Sequence, residues 1–340
     1  MSRILVMRFS ALGDVALSIP ALYPIAVEHP DDEFLVLSKN VFAPLFEVSP
    51  ANVRVIPVFT RQQHKGIRGL WRLVRELTSL RIDCVADLHR SLRSRAITLY
   101  FRLKGVKTAC IDKGKSEKQA LTRERHKRLV PLKPSFERYR DVFNKLGYTS
   151  HTAFGTLYDF GERDFGRILP FTGPKTGRWI GIAPFARHAG KTYPPELTER
   201  VIALLSAQPD ITIFLFGGAD ETDLPQQWQQ QFPQVISVAG RFPLQTELLL
   251  MSYLDVLLTM DSGNMHLASL VGIRAVSVWG ATHPFAGFCG YGQQPEDCIQ
   301  LDLPCRPCSV FGKKPCRLKS GKYGCLRGIE PERIALEVSG

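Results

Sequence analysis

No stretch of this chain is apolar for long enough to cross a bilayer. The longest, Leu248 to Met260, is broken by Ser252, Tyr253 and Asp255, whereas a spanning helix needs about 20 apolar residues. Low-complexity tracts are missing too, which excludes a fibrous or largely disordered protein. The opening run Met1–Arg8 is too short for a signal peptide and lacks a small-residue cleavage site. A cytoplasmic protein is therefore expected, with at most a peripheral contact at the inner face of the membrane. The pattern G-x-G-x-x-G is absent after the first strand-like run, where Gly13 stands alone, so a nicotinamide-dependent enzyme is disfavoured. Acidic residues are scarce: 44 Lys and Arg face 32 Asp and Glu, for a net charge of +12. Most of the surplus lies between Arg61 and Lys145, with about 23 basic against about 8 acidic residues. Such a surface attracts nucleic acid, anionic lipid or a phosphorylated glycolipid. Aromatic residues in that stretch are few (Trp71, Tyr100, Phe101, Phe136, Tyr139, Phe143) and fall mostly at helix-core spacing. Stacking platforms for nucleic acid are therefore not expected.

What is present is an alternation of strands and helices. At 340 residues the chain exceeds one compact core of usual size, and two domains are expected. Strand-like runs occur at Arg3–Phe9, Glu33–Ser38, Val53–Val58, Asp83–Leu88 and Val106–Ile111, separated by helical patterns such as Ile67–Leu80, Leu92–Leu103 and Phe136–Leu146. A Gly-, Thr- and Pro-rich lapse follows from Tyr148 to Gly177. A second alternation then begins at Trp179–Pro184 and continues through Ile211–Gly217, Val235–Ala239, Asp255–Met260 and Ala275–Trp279. The pattern predicts an α/β protein of two doubly wound, Rossmann-like domains facing a central cleft. Their bounds are 1–165 and 178–328, with a linker at 166–177 and a C-terminal helix at 329–340.

Four loops at strand ends carry residues suited to chemistry. Ser10-Ala11-Leu12-Gly13-Asp14 places a carboxylate at a helix start. Asp14 there is either a cap or a base that takes a proton from an attacking hydroxyl. Arg187-His188-Ala189-Gly190-Lys191 offers cations ahead of a helix, a natural cradle for a diphosphate. Phe216-Gly217-Gly218-Ala219-Asp220-Glu221 lets a ligand approach the backbone and ends in a carboxylate that can pair with ribose hydroxyls. Asp261-Ser262-Gly263-Asn264-Met265-His266 ends a buried strand and presents backbone N–H groups to an anion. Three of the four lie in the second domain, so a nucleotide donor is expected there and the acceptor on the first.

Gly13-Asp14-Val15 with Pro20 resembles glycosyltransferase family 9, the ADP-heptose:lipopolysaccharide heptosyltransferases. So do Lys191-Thr192-Tyr193-Pro194-Pro195-Glu196, Gly217-Gly218-Ala219-Asp220-Glu221, and Asp261-Ser262-Gly263 with His266 and Ala268. The resemblance runs from Ile4 to about Ile334. It implies a GT-B fold and an inverting, metal-independent transfer of heptose from ADP-heptose to the inner core of lipopolysaccharide, with no covalent intermediate and no cofactor. By the same resemblance Asp14 is the base, Lys191 contacts the diphosphate and Glu221 the ribose. Asp261, Ser262 and Gly263 hold the phosphates and donor sugar, and Phe242 packs on the adenine. Arg187, His188 and His266 join the donor set, while Ser10, Gly13, Arg90 and Arg93 are assigned to the acceptor. An anionic lipid A and core glycolipid is the expected partner. This chain departs from the family at Phe185, Arg187 and His188, where small or hydroxyl residues are usual, and at Tyr193, where Trp is common. Other readings of the residues are transfer of a different nucleotide sugar to an envelope glycolipid, or a nucleotide-sugar epimerase.

Eight cysteines remain to be placed. Cys84 and Cys110 fall in strand-like runs and are expected to be packing residues. Six crowd the segment 289–325, where Cys305, Cys308, Cys316 and Cys325 have the spacing C-x2-C-x7-C-x8-C. In a chain without an export signal this reads as a structural zinc site or as free thiols.

Overall fold

The computed structural model describes residues 1–318 and 323–340. They form two compact units, one made of Met1–Lys113 with Ser135–Glu162, the other of Gly114–Pro134 with Arg163–Gly340.

The first unit is built on a five-stranded parallel sheet: β1 (Arg3–Met7), β2 (Glu33–Lys39), β3 (Val53–Val58), β4 (Cys84–Asp87) and β5 (Lys107–Cys110), in the order β3-β2-β1-β4-β5. Leu5 stands opposite Leu35 on one side and Val85 on the other. Because side chains alternate across a strand, Leu5, Met7, Leu35 and Leu37 share one face. The helices Gly66–Thr78 and Leu92–Leu103 close that face with Leu73, Leu77, Ile97 and Phe101. Ile4, Val6, Phe34 and Val36 point the other way and are equally buried. Burial on both faces is why these strands read as unbroken apolar runs.

The second unit holds six parallel strands: β6 (Arg178–Ala183), β7 (Ile211–Leu215), β8 (Val235–Ser237), β9 (Val256–Met260), β10 (Arg274–Val278) and β11 (Cys298–Ile299), in the order β11-β10-β9-β6-β7-β8. In each sheet the first strand in sequence has neighbours leading off in opposite directions, β2 and β4 around β1, β7 and β9 around β6. The loops leaving such a strand pair splay apart and open a crevice at the carboxyl ends, the usual place for ligands in this architecture.

Several features differ from the sequence expectation. The two-residue strand β11 is too short to show a period. A helix, Lys115–Leu121, forms inside the charged stretch. The whole segment Gly114–Pro134 belongs to the second unit, not the first. It is tied there by the Lys127 ammonium, which donates to the Pro304 and Arg306 carbonyls at 3.1 and 2.7 Å, and by the Leu132 N–H on the Phe285 carbonyl at 2.9 Å. Seven of the 23 basic residues between Arg61 and Lys145 are therefore on the second unit. The boundary between units falls at Glu162, slightly before the linker expected at 166–177. The last helix, Pro331–Ser339, packs on Pro195–Ser206 inside the second unit.

Candidate active site

In the first unit the chain leaves β1 through Arg8 and Phe9 and turns at once into the short helix Leu12–Ala16. Asp14 sits on that turn, its side chain 33% exposed. Its Oδ2 accepts from the Ala11 N–H at 3.2 Å and pairs with Arg8 Nη2 at 2.6 Å, while the Tyr139 hydroxyl donates to Oδ1 at 3.4 Å. One oxygen closes the turn, and the carboxylate still reaches solvent. Arg8 is 7% exposed and also donates to the Leu88 carbonyl at 2.7 Å, which joins the β1 loop to the β4 loop. Burial opposes its charge, but Tyr139 and Asp14 outweigh that cost and its pKa is raised. Burial pushes the Tyr139 hydroxyl up as well, so it serves as a donor and never as an anion near neutrality.

The β4 loop is held by Asp87, fully buried, whose Oδ1 accepts from the N–H groups of His89 and Arg90 at 2.9 and 2.7 Å. The Phe9 N–H donates to His89 Nδ1 at 3.3 Å. Burial, then the charges of Arg8 and Lys113, lower the His89 pKa to about 4, so its ring is neutral at pH 7. Arg8, Tyr139 and His89 were not singled out from the sequence. The available signal was a charge ending an apolar strand: a buried arginine needs polar partners, and Asp14 is the nearest carboxylate downstream. Of the expected acceptor residues, Ser10 and Gly13 stand on the Asp14 loop. Arg90 donates to the Ile111 carbonyl at 3.3 Å. Arg93 is turned towards the Gly66–Thr78 helix, where Nη2 donates to the His64 carbonyl at 3.0 Å. Each guanidinium thus gives one N–H to the main chain.

The residues expected to bind the donor lie on adjacent strand ends of the second unit. Lys191, after β6, pairs with Asp261, after β9, at 2.8 Å, and their side chains are 16% and 4% exposed. Ser262 precedes the helix Gly263–Leu270 in extended conformation, its Oγ 3.3 Å from Thr259 Oγ1. The first N–H groups of that helix leave the strand end, with His266 buried on the first turn. Arg187 is exposed on the β6 loop. The neighbouring His188 has its pKa lowered by burial and by Lys313, Arg187 and Lys191. After β7, Glu221 Oε2 accepts from the Gly218 N–H at 2.9 Å and so shapes its own loop. Gly240, which follows β8, has φ +66°, and a Cβ there would lie 2.8 Å from the Ala219 Cα. Only glycine allows the β7 and β8 loops to meet this closely. Phe242 lies edge-on to Phe171, ring centres 4.9 Å apart.

The sequence reading also missed the β10 loop. Thr282 is fully buried, its Oγ1 without a hydrogen-bond partner in the structure, and His283 caps the following turn by accepting the Phe285 N–H at 3.1 Å. Burial, then Arg306, lowers the His283 pKa to about 4. Gly280-Ala281-Thr282-His283-Pro284 after a buried strand was the signal. Beneath this loop Arg306, 4% exposed, donates to the carbonyls of Gly280, Leu301 and Thr282.

Cys305, Cys308, Cys316 and Cys325 line one cavity of about 170 Å³ together with Lys127 and Arg306. Burial raises the Cys308 thiol and pushes Cys325 up to about 11. Among the described residues no three Cys, His, Asp or Glu side chains are gathered closely enough to hold a metal ion.

Two parallel, doubly wound units, each with its loops at the carboxyl ends of the strands, have the architecture of a GT-B glycosyltransferase. The sequence model of glycosyltransferase family 9 (heptosyltransferase) matches residues 70–319, and the chain belongs to that family. It is 26% identical over 335 residues to lipooligosaccharide heptosyltransferase 2 of Campylobacter jejuni, covering 96% of this chain and 95% of that protein. Among solved structures it is similar to a family 9 glycosyltransferase from Veillonella parvula, with 22% identity, TM-score 0.76 and 99% and 96% of the two chains covered. It is also similar to the ADP-heptose lipopolysaccharide heptosyltransferase II of Escherichia coli, with 19% identity, TM-score 0.69 and 100% and 98% covered.

Proposed function

We propose that this enzyme transfers heptose from ADP-heptose to the inner core of lipopolysaccharide, with the acceptor presented on a membrane that the protein touches peripherally. The observation that carries the chemistry is the Asp14 carboxylate, solvent-accessible at the end of β1 and gripped by Arg8 and Tyr139. In the proposed reaction an acceptor hydroxyl attacks the anomeric carbon from the side opposite the diphosphate, and Asp14 receives its proton. A carboxylate paired with arginine is a weak base. The proton therefore leaves late, once the new C–O bond has made the hydroxyl acidic. Charge grows on the departing ADP, where Lys191 and the N–H groups opening Gly263–Leu270 stand ready. Fixed donors of this kind are worth roughly 3 kcal/mol each in acyl-transfer enzymes. The Lys191 ammonium is already positioned by Asp261, so it loses little freedom when a phosphate arrives. Glu221 is assigned to the ribose and Phe242 to the adenine, and the family resemblance supports both.

The test is to incubate the purified protein with ADP-heptose and a heptose-deficient acceptor, with other sugar nucleotides in parallel. Heptosylated product with inverted anomeric configuration is expected. Asp14→Asn should lower kcat by about a thousandfold with little change in ADP binding. Full activity in that variant would remove Asp14 from the mechanism, and product only from another sugar nucleotide would replace the donor.

A further inference from the structure

Two helices of the first unit carry an outer face that its core does not use. Gly66–Thr78 and Leu92–Leu103 deliver their inner sides to the same apolar cluster and lie side by side. Thr78 Oγ1 donates to the Tyr100 hydroxyl at 3.2 Å, and Arg93 bridges to the His64 carbonyl. The outer sides are not uniformly polar. Ile67 is 76% exposed and Trp71 60% on the first helix, and Leu92, Leu99 and Leu103 are 87, 55 and 79% exposed on the second. Ile67 and Trp71 are one turn apart, as are Leu99 and Leu103, so each helix shows a stripe. Arginines are interleaved with the stripes: Arg68, Arg72 and Arg75 on one helix, Arg95 and Arg102 on the other, all exposed. The one acid on the two helices, Glu76, is engaged by Arg72 and His64, each at 3.0 Å.

Single exposed leucines need no explanation, but large apolar side chains grouped on adjoining helices do. The occupant must accept aliphatic side chains, an indole and guanidinium groups together. A bilayer surface with anionic headgroups does this: phosphates pair with arginine, Trp71 prefers the headgroup level, and the leucines enter the acyl boundary. Nucleic acid would leave Leu92, Leu99 and Leu103 in water and find a single ring to stack on. We infer that this face docks the enzyme on an anionic bilayer, with Ile67, Trp71, Leu99 and Leu103 as the inserting residues. The inference rests on the reading that the acceptor is membrane-borne, and it names the part of the protein that reaches the membrane.

Trp71 supplies an internal reporter, because Trp179, Trp228 and Trp279 are at most 2% exposed. The full chain is mixed with vesicles of phosphatidylglycerol or of phosphatidylcholine, with and without bromine on the acyl chains. Sedimentation with the anionic vesicles is expected, weakened by salt, together with quenching of tryptophan emission that Trp71→Phe abolishes. Replacing Ile67, Trp71, Leu99 and Leu103 by serine should weaken binding about tenfold or more. Each of Arg68→Gln, Arg72→Gln and Arg95→Gln should cost roughly fivefold. The circular-dichroism melt and transfer to a delipidated, water-soluble acceptor should stay as in the unaltered enzyme. Wild-type vesicle binding by the serine variant overturns this face while leaving a membrane-borne acceptor standing. Failure of the unaltered enzyme to bind either vesicle overturns both readings. Binding of an RNA duplex through these residues without vesicle binding assigns the face to nucleic acid and overturns it too.

Discussion

At the scale of single residues, two neutral histidines set a pH limit on the fold. His89 and His283 both have pKa values lowered to about 4, chiefly by burial, against an ordinary value near 6.5 in the unfolded chain. The unfolded state therefore binds more protons between those values, and stability falls as pH drops from about 6.5 to about 4, then levels off. Each histidine should contribute on the order of 2 kcal/mol to that loss. Melting the protein between pH 7.5 and 4.5 should show it, and His89→Gln with His283→Gln should flatten the slope. An unchanged slope would mean that neither ring is held neutral. Asp14 shows how far residue reasoning reaches from sequence. Its place after β1 was legible because a carboxylate at a strand's carboxyl end is a local pattern. Tyr139 was not, since its pairing with Asp14 spans 125 positions and no period announces it. The carbonyls that Arg90 and Arg93 engage were equally out of reach, since they lie 21 and 29 positions away.

At the scale of elements, the Lys191–Asp261 pair fastens the β6 loop to the β9 loop. Both side chains are largely buried, so removing one partner strands the other. Lys191→Met should cost about 3 kcal/mol of stability by leaving Asp261 without its cation. Adding Asp261→Asn should recover most of that loss, yet neither variant should transfer sugar at more than a trace of the normal rate. Recovery of activity with recovery of stability would show that the pair is only a clasp. The elements themselves were readable wherever burial imposed a period, which is why ten of the strand-like runs correspond to β1 through β10. The exceptions have physical causes. Cys298–Ile299 is too short to express a period, and Lys115–Leu121 is too charged for an apolar stripe to stand out.

At the scale of the molecule, the segment Gly114–Pro134 is the part that sequence could least foretell. It is held by long-range bonds to main-chain carbonyls, which leave no mark on either partner's residue types. Lys127→Met removes two of those bonds and should loosen the segment. Trypsin cleavage at Arg123, Arg125 and Arg128 should then quicken about tenfold, while the first unit stays intact. Equal cleavage in variant and wild type would show that other contacts suffice. The same excursion governs how such enzymes can be recombined. The first unit closes only when Ser135–Glu162 has returned to it, and the intervening residues belong to a unit whose strands come later. A hybrid joined once, near Glu162, would carry a foreign strap into its second half and ask Lys127 to find carbonyls that evolved beside a different segment. Exchange of the second unit between relatives therefore calls for two grafts, 114–134 travelling with everything after 162, because the inheritable module is discontinuous along the chain.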